Sequence, residues 1–330
     1  MLKKKKLCGA IALAIALCFA AGCALSAGPE PAVSEPAPAG PEPPASAGGL
    51  PCTVTDAAGR GLTFDAIPER VVAVSASLGD VWRCAGGTLI GVTSDAKEQK
   101  GELISDSTQI IGTVKEPNWE LILSLEPDFI IASADIASHV DFVSTLDKAG
   151  IKCGLFKEEF FEDYLGLLTS FCSITGRDDL LYENGLKVRQ SMEETLEKAG
   201  DTFSGRSVLF IRAFSTGAKA KGDEDTHTGV MLKAFGLDNI ASRHDGLLET
   251  LSLEEIATED PYYIFIVVMG SDTQAGLDAL YRDVQSNPIW SGLSAVKEGR
   301  CHVLDKMLFH YKPNSRWGEA YEELYKLLNS

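Results

Sequence analysis

Between Lys306 and Arg316 the chain carries basic residues only: Lys306, His310, Lys312 and Arg316, with no Asp or Glu among them. The chain as a whole is acidic, with 47 Asp and Glu against 30 Lys and Arg and a formal net charge of −17 over 330 residues. A cationic stretch in such a background is a local device for an anion. A second basic group, Arg212, Lys219, Lys221 and His227, lies in "IRAFSTGAKAKGDEDTHTG". Arg can grip a carboxylate bidentately, whereas Lys acts as a flexible point charge. Both groups follow apolar runs of strand length, so together they point to one anionic or metal-chelating ligand. The overall acidity excludes an electrostatic grip on nucleic acid, which needs a basic footprint.

Taken singly, Lys219, Lys221 and Lys306 read as solvated loop lysines, and Arg316 has the alternative of tying down the last helix. Haem would add a demand for axial His, Met or Tyr, and His227, His310, Tyr311 and Met269 are available. The remaining histidines, His139, His244 and His302, show no metal-site spacing, which argues against a free zinc or manganese binder. No G-x-S-x-G elbow, phosphate loop, dinucleotide turn or H-E-x-x-H helix occurs, so an enzyme is not expected. Five cysteines lie beyond residue 50, Cys52, Cys84, Cys153, Cys172 and Cys301, none of them at C-x-x-C spacing. Their odd number names no disulfide framework.

The elements that must position these groups are legible as apolar runs. "VVAVS" (71–75), "LIGV" (89–92), "DFIIAS" (128–133) and "KCGLF" (152–156) alternate with helical spacing, and "SVLFIRAF" (207–214), "YYIFIVV" (262–268) and "CHVL" (301–304) form a second series. Continuous rather than alternating apolar runs predict parallel strands covered on both faces. Residues 178–200 place Leu181, Val188, Met192 and Leu196 near one helical face before Gly200, which predicts one helix about 33 Å long joining two α/β lobes. An internal echo supports two related halves: in "NWELILSLEPDFII" and "SLEEIATEDPYYIFI", Glu120, Ile122, Pro127 and Ile130 recur 134 residues later as Glu254, Ile256, Pro261 and Ile264. Each copy reads as an Asn or Ser N-cap, a short helix, Pro and a buried strand, and Ser252 to Glu255 has the capping-box pattern. The expected fold is therefore two α/β lobes with mainly parallel central sheets, joined by a single long helix, with a ligand cleft between the lobes near the strand ends. Ser77, Leu78 and Trp82 after the first strand, with Lys115 and Asn118 before the first repeat helix, form the expected opposing wall; the alternative for Trp82 is a place in the core.

The N-terminus predicts export. "MLKKKK", the short apolar run that follows and "AAGC" resemble a bacterial lipoprotein signal, residues 1–22, cleaved before a lipid-bearing Cys23; an ordinary signal peptide is the alternative. Its removal leaves 26 Lys and Arg against 47 Asp and Glu, a net −21. Residues 23–50 form the expected stalk: between 24 and 50 stand seven Pro, seven Ala and four Gly and no aromatic residue, a chain that reaches about 80 Å when extended. The lobes then span 51–177 and 201–330, with the linking helix at 178–200.

From about residue 52 onward the chain resembles the substrate-binding lipoproteins of iron-siderophore, haem and cobalamin ABC importers. The stretches that carry the resemblance are "PERVVAVSASLGDVWRCAGGTLIGVTSDA", "IGTVKEPNWELILSLEPDFIIAS", "LETLSLEEIATEDPYYIFIVVMG", "NPIWSGLSAVKEGRCHVL" and "FHYKPNSRWGEAYEEL". The resemblance implies two helix-linked lobes with modest hinge motion, and a cleft for a ferric siderophore, haem or corrinoid. It also implies a glutamate on each lobe, here Glu120 and Glu254, pairing with arginines of a permease served by an ATPase. The flanks of Arg212 and Lys312 match the family's cleft loops. Together these features predict a monomeric protein, anchored by lipid on the outer face of the cytoplasmic membrane, that delivers a metal chelate. The rivals are a sensory or adhesive surface lipoprotein on the same fold, which neighbouring genes would distinguish, and a binder of another small anionic solute.

Overall fold

Apolar strands covered on both faces should pair in parallel, and the computed structural model, which describes residues 49–249, 251–270 and 272–330, pairs them so. The signal peptide, Cys23 and most of the stalk lie outside the described residues. The strands are β1 (Cys52–Thr55), β2 (Gly61–Phe64), β3 (Val71–Ala73), β4 (Gly91–Val92), β5 (Gln109–Ile110), β6 (Phe129–Ser133), β7 (Lys152–Phe156), β8 (Ser207–Phe214), β9 (Gly217–Ala220), β10 (Asp238–Asn239), β11 (Tyr263–Val268) and β12 (Cys301–Val303). One parallel sheet has the order β5-β4-β3-β6-β7, and the other runs β10-β8-β11-β12 with β9 antiparallel on β8. Every residue of β11 is buried, as is all of β6 except Ser133.

The two halves repeat each other. β3 and β8 start their sheets, and each is flanked by the strand that follows the repeat helix, with Val72 opposite Ile130 in one and Leu209 opposite Ile264 in the other. Helices Trp119–Ser124 and Leu253–Glu259 precede these strands, each with a fully buried isoleucine, Ile122 or Ile256. Even the strained backbone recurs, since Glu126 at φ 47° and Asp260 at φ 39° stand at matching places before the prolines.

Three features depart from the sequence expectation. β1 and β2 form a separate antiparallel hairpin, tied to β7 where Ala57 N–H donates to Leu155 O at 2.8 Å. β9 turns "STGAKA" into a hairpin that sets Lys219 opposite Arg212, so Lys219 is a strand residue and not a loop residue after a strand. The linking segment is one helical run, but its middle is a π-helical turn, Tyr182–Leu186, between α-helical Asp178–Leu181 and Lys187–Ala199. At that turn a side chain on Gly185 would meet Leu165 Cδ1 at 2.6 Å. The Asn184 amide donates to Cys84 O at 2.7 Å, and Tyr164 Oη donates to Asn184 O at 2.6 Å. The widened turn thus brings the helix against its neighbours, a common use of such turns.

The largest of four apolar clusters among the described residues runs through both halves. Trp82 packs edge-on against Phe129 and Phe171 in the first, Phe203 against Phe235 in the second, and Phe161 meets Trp317 between them at 5.9 Å. Such shared packing resists wide separation of the halves.

Candidate functional site

The cationic residues gather where the strands of the second half end against the first half. Helix Ala76–Cys84 begins just after β3, Glu158 and Glu159 follow β7, and the segment from Lys306 to Arg316 follows β12. The fixed point is Asp80, 1% exposed. It accepts from Lys100 Nζ at 2.8 Å and Arg83 Nη2 at 2.7 Å, and across the seam from Asn314 Nδ2 at 2.8 Å. Burial opposes its charge, but Lys100 and Arg83 hold its carboxyl below the ordinary range. Asn314 also donates to Ser77 O at 3.0 Å and has φ 54°, a left-handed conformation that Asn tolerates.

Besides this pin, two ion pairs cross the seam. Lys312 Nζ lies 2.7 Å from Glu159 Oε2, and Lys306 Nζ lies 2.5 Å from Glu98 Oε1. Among the described residues Arg212, on β8, has no such partner: its Nε is buried without a hydrogen bond. Burial lowers its pKa, with Glu159 and Asp225 opposing from nearby. His227 opens helix His227–Ala234, capped by Thr226, and is 1% exposed. Burial pushes its pKa down to about 3, and Lys312 and Arg212 push the same way. His310 is pushed down to about 4 by burial, then by Arg212 and Lys306. Both histidines are therefore neutral at neutral pH, and among the described residues Nε2 of His227 and Nδ1 of His310 lack partners. The arrangement offers an anion one unpaired guanidinium, one ammonium held by an exchangeable carboxylate, and neutral imidazoles. Among the described residues no three His, Cys, Asp or Glu side chains stand together as a metal-ion site. The chemistry on offer is recognition of a charged ligand.

The sequence profile described as periplasmic binding protein matches residues 69–308. The chain belongs to the periplasmic binding protein family. Similar to this binding protein is the Fe(3+)-citrate-binding protein YfmC of Bacillus subtilis, 26% identical over 249 residues that cover 74% of this chain and 75% of YfmC. A cobalamin-binding protein of Halobacterium salinarum is 26% identical over 269 residues, covering 76% of this chain and 70% of its own. The solved structure of the triscatecholate siderophore binding protein FeuA from Bacillus subtilis, complexed with ferri-bacillibactin, matches with a TM-score of 0.65 at 20% identity, over 83% of this chain and 98% of that one. That likeness is one of fold.

Within the binding protein, Arg212, His227, His310 and Lys312 come together, with Ser77 across the seam beside Glu158. Leu78 and Trp82 do not line a wall. Both are buried in the core, and Trp82, 0% exposed, spends its indole N–H on Thr88 O at 3.0 Å, because the start of helix Ala76–Cys84 turns its apolar face toward the sheet. Arg316 pairs with Glu319 at 2.7 Å, three residues on in the first turn of the final helix, so this pair stays within that helix. Lys115 is exposed, and Asn118 spends its side chain on the N-cap, accepting from Leu121 N–H at 3.0 Å. Tyr311 is nearly buried, with Glu98 beside its hydroxyl, and Met269 follows β11 with its amide bonded to Ala213 O. Glu120 and Glu254 are exposed in the first turns of the two repeat helices. The Ser252 box is half made: Glu255 N–H donates to Ser252 Oγ at 3.3 Å, but the Glu255 carboxylate turns to His244 Nδ1 at 3.1 Å.

Sequence reasoning missed the acidic side of the seam. Asp80, Glu98, Glu158 and Glu159 lie among many carboxylates of an acidic chain. The available signals were a single Asp inside the apolar face of "ASLGDVW" and the pair "EE" directly after a strand.

Proposed function

We propose that this binding protein captures an anionic ferric chelate between its two lobes and delivers it to an ABC permease. The observation that carries this reading is Arg212: a half-buried guanidinium on β8 whose buried Nε has no hydrogen bond among the described residues, with His310 and Lys312, from the segment after β12, close to it and to His227. Leaving a buried charged donor unpaired is costly, and a carboxylate or similar oxygen anion of the cargo relieves that cost. Among relatives, the named ligands include ferric citrate, a ferric siderophore and cobalamin. The cationic side of the seam favours the anionic iron chelates among these. Like other members of the family, the chain acts by binding and release, without catalysis. Lipid on Cys23 holds the body at the outer face of the membrane through the stalk, and Glu120 and Glu254 present the loaded form to the permease.

The test is intrinsic fluorescence of the soluble body titrated with ferric citrate, ferric siderophores, haemin and cobalamin, with absorbance-matched controls. Trp317 lies 5.7 Å from His227 and is the expected reporter. Saturable binding of an anionic iron chelate, weakened at least about tenfold by Arg212→Ala through loss of a charge-assisted contact, supports the reading. Binding of cobalamin alone, or of nothing in the panel, overturns it.

A further inference from the structure

One carboxyl in the seam has no role in the cation cluster. Glu158 follows β7, is 7% exposed, and buries both carboxylate oxygens without a well-formed hydrogen bond. The groups that face it are Ser77 and Asp80 from helix Ala76–Cys84, Lys100, Lys312 from the segment after β12, and Tyr164 from helix Phe161–Thr175. Both lysines are already committed, Lys100 to Asp80 at 2.8 Å and Lys312 to Glu159 at 2.7 Å. Among the described residues no cation is left to pair directly with Glu158, so its anion would sit in the seam without an ion-pair partner. Burial accordingly pushes its pKa up to about 8, against the pull of Lys312 and Lys100 and the nearby Ser77 hydroxyl, while Asp80 pushes the same way as burial.

We propose that Glu158 is the proton-holding residue of the cargo site, a neutral carboxylic acid in the working protein whose proton must stay in place for an anionic cargo to be held. This deepens the capture reading and rests on it. The reason is that Lys312 faces both Glu158 and the anion site. With Glu158 neutral, the cargo has only Glu159 to displace from Lys312. With Glu158 ionised, a second negative charge competes for the same ammonium and repels the cargo through a medium with little water. The loaded protein then holds the Glu158 proton more tightly than the free protein does. Its affinity therefore falls as pH rises above about 8, by up to about tenfold per pH unit.

Two measurements on the soluble body test this. The first needs no cargo and compares denaturant unfolding of the wild type and Glu158→Gln across about pH 4 to pH 9. The unfolded glutamate titrates near 4.5 and the folded one near 8, so the folded state holds the extra proton between these values. Wild-type stability should therefore fall relative to the Gln variant as pH rises through that window and run parallel to it above. A constant difference overturns the assignment. If the Gln variant does not fold, carboxyl-carbon NMR titration of the wild type decides instead: one glutamate titrating near pH 8 is expected, and all of them in the ordinary carboxylate range overturns it. The second measurement is the affinity for ferric citrate at about pH 7 and about pH 9, where the wild type should lose about tenfold and Glu158→Gln should not. Equal losses in both overturn the link to cargo. Absence of ferric citrate binding overturns that link too, whereas a normal Glu158 titration with binding intact overturns only the role of Glu158.

Discussion

Asn314 Nδ2 lies 2.8 Å from Asp80 Oδ2, and this contact joins the segment after β12 to the first helix of the other half. Asn314 is fully buried at φ 54°, so its place depends on an amide that tolerates the left-handed region and reaches a buried, lysine-paired carboxylate. Asn314→Ala removes the bond to a charged group and puts Ala into a left-handed backbone, a combined cost of about 2 to 4 kcal/mol. Asn314→Gly relieves the backbone cost only, and its denaturant midpoint should fall between those of Ala and wild type. Equal midpoints for Ala and Gly would show that the backbone conformation contributes nothing.

The Lys312–Glu159 pair at 2.7 Å predicts that the protein competes with its own cargo. Glu159→Gln leaves the side chain's length but removes the charge that holds Lys312, so anionic chelates should bind about threefold to tenfold more tightly, as expected for loss of one partly exposed ion-pair partner. Lys312→Ala should weaken binding, and in the double variant the effect of Glu159→Gln should largely vanish. Isothermal titration of all four proteins gives the coupling directly. Independent effects would mean that Glu159 does not compete.

Much of this architecture was legible because parallel strands buried on both faces read as uninterrupted apolar runs: β7 and β8 occupy the runs "KCGLF" and "SVLFIRAF" residue for residue. The repeat was legible too, since Ile122 and Ile256 bury at equal places in equal helices. The hairpin β9 was not, because "GAKA" has neither alternation nor β-branched residues to mark it. Nor was the π turn, although "ENG" inside a helical pattern was a local sign of trouble. Trp82 shows the limit for single residues, because an aromatic after a strand has the same spacing whether it faces cargo or core. The acidic side of the seam depends on partners far along the chain, as Asp80 and Asn314 do, and no local pattern marks such a pair.

The buried neutral histidine predicts loss of stability in acid. His227 titrates near 6.5 when unfolded and only near 3 when folded, so the unfolded chain binds more protons between those values. Stability that is fully present above pH 6.5 is therefore lost as pH falls toward 3, at up to about 1.4 kcal/mol per pH unit. His227→Gln should be less stable at neutral pH but lose less on acidification. The gap between the two urea midpoints should narrow from about pH 6.5 to pH 4. A gap that stays constant would place the acid sensitivity elsewhere, for instance in His310.

The proposed docking role of the exposed first-turn glutamates predicts that changes there separate binding from delivery. Glu120 and Glu254 occupy matching turns, each helix capped by a side chain, Asn118 or Ser252, and neither glutamate makes an ion pair among the described residues. Changing either to Lys reverses a charge at a helix N-terminus and should cost less than about 1 kcal/mol of stability. Chelate affinity should be unchanged, because neither residue is among those at the seam. Stimulation of the ATPase by the loaded protein in a reconstituted transporter should fall with each change and nearly vanish with both, as the proposal of one contact per repeat requires. Full stimulation by the double variant would show that these surfaces do not meet the permease. The half-made cap at Ser252 sharpens the comparison, because His244 braces Glu255 and Glu259 on the second helix at 3.1 and 2.9 Å. Glu254→Lys should therefore perturb its helix less than Glu120→Lys perturbs the unbraced one, which hydrogen exchange at the two first turns would reveal.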